Sequence, residues 1–233
     1  MKPLSELREQ VWEANMELPR KNLVIYTFGN VSGIDRVQGI IAIKPSGIPY
    51  EKLTPDNIVL VDMDGTVIDS RFNPSSDTMT HLVLYRHFET IGGIVHTHST
   101  YATSWAQALK PIPCLGTTHA DHIRGEIPCT EVMTDEEIRG NYEERTGLKI
   151  IERFRGLSPD DVPMVLVAGH GPFTWGHTPE NAVYNGVILE ELARLAFYTL
   201  SIDPAAGGIP GPLLDRHYFR KHGDSATYGQ VET

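Results

Sequence analysis

Short apolar runs alternating with helical stretches confine this chain to a layered α/β domain with an antiparallel or mixed sheet. Leu4, Leu7, Val11, Ala14 and Leu18 recur at three- and four-residue spacing, which predicts an opening amphipathic helix. Leu23–Phe28 (LVIYTF), Ile40–Lys44 (IIAIK) and Asn57–Asp62 (NIVLVD) read as strands. The last of these runs into Asp64-Gly65, a hairpin signal, before Val67-Ile68. Hairpins join antiparallel neighbours, whereas parallel strands need long crossovers. No GxGxxG is present to suggest a dinucleotide fold. Helices are expected from Ser76-Asp77 to Phe88, over Tyr101–Leu109 and over Thr134–Phe154, the last weakened by Gly140 and Gly147. Met164–Ala168 (MVLVA) reads as a buried strand. Thr178-Pro179-Glu180 then opens a long helix to about residue 200, with an N-cap, a proline at the first helical position and an acid in the first turn.

The helices and strands interleave without a linker or repeat, so residues 1–233 are read as one domain. A hydrophobic content of 40% is enough for a core in a chain of 233 residues. No apolar run is long enough to cross a membrane, and the charged N-terminus lacks the apolar stretch of a secretion signal. A net charge of -10 argues against a nucleic-acid partner. Cys114 and Cys129 are the only cysteines. They could pair, but two thiols in such a chain suit a reducing cytoplasm.

Within IGGIVHTHS, His96 and His98 stand two apart after an apolar run, and on a strand residues two apart face the same way. Two converging imidazoles suit a metal or an anion. A satisfied polar pair at a strand end fits equally well. Further histidines lie in Thr117-Thr118-His119-Ala120-Asp121-His122 and in Gly169-His170-Gly171-Pro172. Lys44-Pro45-Ser46-Gly47 follows a strand and Ser75-Ser76 precedes a helix, where backbone amides can face an anion. Taken singly, each of these segments also reads as a turn.

Taken together, PSSDTMTH, GGIVHTHS, GTTHADHIRGEIPCT, GHGPFTWG and LLDRHYFRKHGDSATYGQ resemble the class II aldolase superfamily, in particular its L-ribulose-5-phosphate 4-epimerases. GNVSGID and IAIKPSGIPY extend the resemblance over nearly the whole chain. It implies a three-layer α/β/α sandwich around a mainly antiparallel sheet, assembled as a homotetramer with sites between subunits. It also implies one divalent metal per subunit, zinc or else manganese or cobalt, held by His96, His98 and His170, with Asp77 as a further candidate ligand. Neutral imidazoles suit such an ion and leave positions for substrate oxygens. Asn30, Lys44, Ser46, Gly47, Ser75 and Ser76 match phosphate-binding positions. Asp121 and Tyr228 match the proton-transferring pair, the tyrosine reaching in from an adjacent subunit. Thr117, Glu143 and His217 match auxiliary positions. Phe173 and Trp175 are read as packing residues.

The implied reaction interconverts L-ribulose 5-phosphate and D-xylulose 5-phosphate at C4, in cytoplasmic carbohydrate metabolism such as arabinose use. The C4 hydrogen is not acidic, so retro-aldol cleavage of C3–C4 and re-addition is the workable route. The alternatives are a class II sugar-phosphate aldolase of the L-fuculose 1-phosphate type, a ketose 4-epimerase of altered specificity, and a non-catalytic scaffold such as the adducin head. His122 and Arg124 depart from the family's usual pattern, in which an aromatic residue follows the aspartate.

Overall fold

The central strands are buried at nearly every position, and their alternate side chains go to opposite faces of the sheet. In the computed structural model, which describes residues 3–222 and 226–227, seven strands form one sheet. They are β1 (Asn30–Asp35), β2 (Ile40–Ile43), β3 (Val59–Asp62), β4 (Val67–Asp69), β5 (Gly93–His96), β6 (Met164–Val167) and β7 (Gly171–Gly176). The order is β4-β3-β2-β1-β5-β7-β6, and every strand pair is antiparallel. Ile41, Ile43, Val59, Val61, Ile94, Phe173 and Trp175 face one core. Val31, Ala42, Leu60 and Val95 alternate with them into a second core on the opposite face.

Helices cover both faces, giving the expected three layers. The second core is closed by α1 (Leu4–Arg20) through Leu7, Val11, Ala14 and Leu18, and by Ala182 and Val183 of α7 (Pro179–Ile202). The first core is closed by α2 (Thr78–His87), α3 (Thr100–Gln107) and α6 (Tyr142–Arg153), together with Leu189, Leu192 and Ala193 further along α7. Thr178 caps α7 by accepting from the Asn181 amide. A Cβ at Gly93 would lie 2.4 Å from Pro179 backbone atoms, so glycine there lets α7 start directly against β5. The short α4 (Thr117–Ala120), α5 (Asp135–Arg139) and α8 (Gly211–Phe219) complete the helices described.

Two expectations fail. Leu23–Phe28 is not a strand: Ile25 is 63% exposed and Tyr26 84%, and Tyr26 turns the chain at φ 55°. Both edges of the adjacent β1 are already taken by β2 and β5, so this apolar run has no strand to pair with. Residues 134–154 form two helices rather than one. A capping box between Thr134 and Glu137 starts α5, and Gly140 ends it before α6 begins at Tyr142. Cys114 and Cys129 are both free thiols.

His119 on α4 is 4% exposed, and burial pushes its imidazole down to about 4 from 6.5. Its contribution is therefore complete above about pH 6.5. Below that the unfolded chain gains a proton that the folded chain refuses, and stability falls by up to about 1.4 kcal/mol per pH unit towards pH 4. His119→Gln is expected to flatten the pH dependence of urea unfolding over that window. An unchanged slope would mean that the folded protein protonates His119.

Candidate metal and anion site

β5 ends at His96, whose Cα lies opposite Asn30 of β1 on one side and opposite Phe173 of β7 on the other. Phe173 stacks on the His96 ring, with centroids 4.2 Å apart. His96 Nδ1 donates to the Pro172 carbonyl at 2.9 Å, because a carbonyl can only accept. That bond leaves the Nε2 lone pair of the neutral ring pointing outward. His98 lies beyond the strand end, yet its Nε2 is 3.0 Å from that of His96. His170, in the turn between β6 and β7, completes the group. The ring centroids are 4.9, 4.7 and 5.1 Å apart, and one ligand atom from each of the three lies within 4.8 Å of the others.

The donor chemistry fits a divalent cation. Burial, then His96 and His98, push His170 down to about 4, and burial also lowers His98. Neutral imidazoles with converging lone pairs are the form that binds zinc-like ions. Asp77 precedes α2 at the same place, and its Oδ2 accepts from Asn30 Nδ2 at 2.6 Å. Burial pushes its carboxyl up, but His96, His81 and the Asn30 hydrogen bond outweigh this and hold it below the usual carboxylate value. Asp77 is thus an ionised neighbour of the three histidines, with one oxygen committed to Asn30.

His96, His98, His170 and Asp77 line a cavity of about 390 Å³ together with Asn30, Lys44, Ser46, Gly47, Ser75 and Ser76. Every expected metal and phosphate residue therefore meets in one place. Gly29, at φ 73°, turns the chain into β1, where a Cβ would press on the His96 carbonyl at 2.9 Å. The loops carrying Ser46 and Ser75 are bound to each other through Ser46 N–Asn73 O and Ser75 N–Lys44 O. Lys44 is 2% exposed, and its Nζ donates to the Thr27 carbonyl at 3.3 Å over the Tyr50 ring. No carboxylate among the described residues pairs with it, and burial pushes its amine down to about 8. A buried cation with no counter-ion, beside serine hydroxyls and a helix start, is suited to a phosphate.

The other expected residues lie elsewhere. Asp121 follows α4 and accepts from Arg220 at 2.7 and 3.0 Å, with His217 Nδ1 3.0 Å away. Burial raises its carboxyl, and the Arg220 and His217 hydrogen bonds more than reverse that. It lines a second cavity with His122 and Lys221 rather than the first. Thr117 opens α4 nearby. Glu143 lies in the first turn of α6, and its carbonyl accepts from Thr80. Tyr228 lies outside the described residues. Arg124 pairs with Asp215, and His122 packs on Tyr184. Sequence reasoning missed Tyr142, whose hydroxyl is 3.4 Å from His170 Nδ1. Only the break at Gly140 would have signalled a residue facing that histidine.

Residues 9–197 match the family described as the Class II Aldolase and Adducin N-terminal domain. L-ribulose-5-phosphate 4-epimerase UlaF of Salmonella paratyphi B is 51% identical over 227 residues, which cover 97% of this chain and 100% of that protein. The protein of the same name from Salmonella typhi matches at the same identity and coverage. Among solved structures, an L-fuculose 1-phosphate aldolase superposes with a TM-score of 0.76 at 23% identity, over 92% of this chain and 95% of its own. An aldolase II superfamily protein from Pseudomonas syringae gives 0.76 at 15%, over 94% and 86%. These two structures are similar to the chain in fold.

If the three imidazoles hold a cation, protein purified without added metal should carry about one divalent ion per chain by elemental analysis. His98→Asn is expected to remove most of it while leaving the circular dichroism unchanged. Full metal content in that variant would take His98 out of the site.

Proposed function

The chain belongs to the class II aldolase and adducin family, and from that premise we infer that it is an L-ribulose-5-phosphate 4-epimerase. The observation that carries this reading is 51% identity over the full length of a relative so named. The geometry of the cavity supports it: an anion-binding end at Lys44 and a cation-binding end at the three histidines suit a five-carbon ketose phosphate.

Inverting C4 needs a bond broken, because no carbonyl activates the C4 hydrogen. Removal of the C4 hydroxyl proton breaks C3–C4, and the electron pair moves into the C2 carbonyl. The products are the enediolate of dihydroxyacetone and glycolaldehyde phosphate. Rotation of the aldehyde presents its other face, the C3–C4 bond re-forms, and the new C4 oxygen takes the proton back. When bound, a divalent cation, which we take to be zinc, supplies Lewis acidity at the ketose end. Lys44, Ser46, Gly47, Ser75, Ser76 and Asn30 hold the phosphate, so the aldehyde turns without leaving. Asp121 and Tyr228 carry the proton on the two faces.

We assign the chain to a homotetramer with shared sites. Supporting this, Asp121 lines a different cavity from the histidines within one chain, so it serves the reaction from a neighbouring subunit. Exposed Phe197, Tyr198 and Ile202 on α7 offer apolar surface for such packing. The sugar phosphate substrate, too charged to cross a membrane, supports a cytoplasmic location.

Purified protein should convert L-ribulose 5-phosphate to D-xylulose 5-phosphate and lose that activity in chelator. Stoichiometric release of free aldehyde instead would make it an aldolase. Reassembly of equal amounts of His96→Asn and Asp121→Asn chains should restore about a quarter of the wild-type rate, since a closed ring then contains some sites with both intact groups. Mixed assemblies as inactive as their parents would put Asp121 in its own chain's site.

A further inference from the structure

Two of the buried side-chain atoms that lack a partner among the described residues, Asn30 Oδ1 and His81 Nε2, belong to one ladder beneath the cavity. Asp77 at the start of α2, and His81 and Tyr85 within it, recur four apart and form one stripe. On β1, Asn30 and Ser32 stand two apart and share a face. The stripes meet rung by rung. Asn30 Nδ2 donates to Asp77 Oδ2, and Ser32 Oγ lies 2.7 Å from His81 Nδ1 and 2.8 Å from the Tyr85 hydroxyl. Ser32, His81 and Tyr85 are fully buried and Asn30 is 3% exposed.

The hydrogens in this ladder can be counted. A carboxylate only accepts, so Asn30 must present Nδ2 to Asp77 and turn Oδ1 away. Ser32 has a single hydroxyl hydrogen for two neighbours. If it went to Tyr85, the buried phenol's own hydrogen would have no side-chain acceptor, which is costly. Tyr85 therefore donates to Ser32, Ser32 donates to His81 Nδ1, and the ring carries its hydrogen on Nε2. His81 feels the opposite charge of Asp77 and lies edge-on to Phe173, the ring that stacks on His96.

We propose that His81 is a positioning residue for the cavity. Its Nε2–H donates across one interior water to Asn30 Oδ1, which stops the amide turning over and keeps Nδ2 on Asp77. The orphaned donor and the orphaned acceptor then satisfy each other. Asn30 thereby stays oriented for the anion, a consequence that rests on the proposed phosphate-binding role of the cavity.

Two measurements test this. Long-range ¹H–¹⁵N spectra, with His81 assigned by its loss in His81→Gln, should show the neutral Nε2–H tautomer; an Nδ1–H ring overturns the proposal. Titration with inorganic phosphate should show binding in His81→Gln within about twofold of wild type, because glutamine can accept from Ser32 and donate toward Asn30 in the same way. His81→Leu should weaken it about tenfold. Equal loss in both variants, or none in either, also overturns it. If His81→Leu does not fold, a large loss in His81→Gln still counts against the proposal. Wild-type protein that binds no phosphate would sink the cavity's proposed role, and the tautomer would then decide His81 by itself.

Discussion

The antiparallel register that sets Asn30, His96 and Phe173 side by side on β1, β5 and β7 is the constraint on which the rest of the site depends. Directly opposed residues in such a ladder point to the same face. The register therefore brings an amide, an imidazole and an aromatic ring to the same end of the sheet. Phe173 fixes the plane of His96 by stacking, and the Pro172 carbonyl fixes its tautomer. A one-residue slip of β5 would turn His96 to the opposite core and replace it with Val95. Gly93 fits this register, since a side chain there would collide with the Pro179 backbone at the start of α7.

Around that anchor the cavity divides its electrostatics into two ends. Burial favours the neutral form of His98, His170 and Lys44, but with opposite consequences for the imidazoles and the amine. For the imidazoles neutrality frees lone pairs for a cation. For the lysine it leaves a cation short of solvation, which an anionic ligand relieves. Asp77 lines the same cavity, its carboxyl held below the usual value, and it accepts from Asn30. The chain's net charge of -10 hides this local arrangement, because among the described residues Asp77 is the one acid that lines the cavity.

The polar ladder under the cavity also explains why β1 is hard to read in a sequence. Period-two reasoning looks for apolar residues on the buried face, and NVSGID places Asn30 and Ser32 there instead. Their burial is tolerable only because α2 supplies Asp77, His81 and Tyr85 opposite them. β7 is hidden for another reason. Pro172 lacks an amide hydrogen and argues against an interior strand, yet it sits at the end of β7, where its carbonyl serves His96. LVIYTF shows the converse: it carries a strong strand signal but finds no free sheet edge, and its Thr27 and Phe28 line the cavity instead.

Local sequence pattern determined the helices α1 and α7, the β3–β4 hairpin and an antiparallel or mixed sheet, while the residues of the cavity were marked by motif blocks that resemble a known family. Periodicity, caps and turn chemistry are local, and the motif blocks keep their residue types wherever the chain puts them. Only the tertiary structure decided that His96, His98 and His170 converge, that Lys44 is buried with no carboxylate partner among the described residues, and that Asp121 lies apart from them, bound to His217 and Arg220. Gly140 was visible as a weak point in the helical pattern, but not that the break there brings Tyr142 to His170. Each of these depends on which strand edges are occupied and which helix packs on which face, and those are relations between segments far apart in the chain that no local pattern contains.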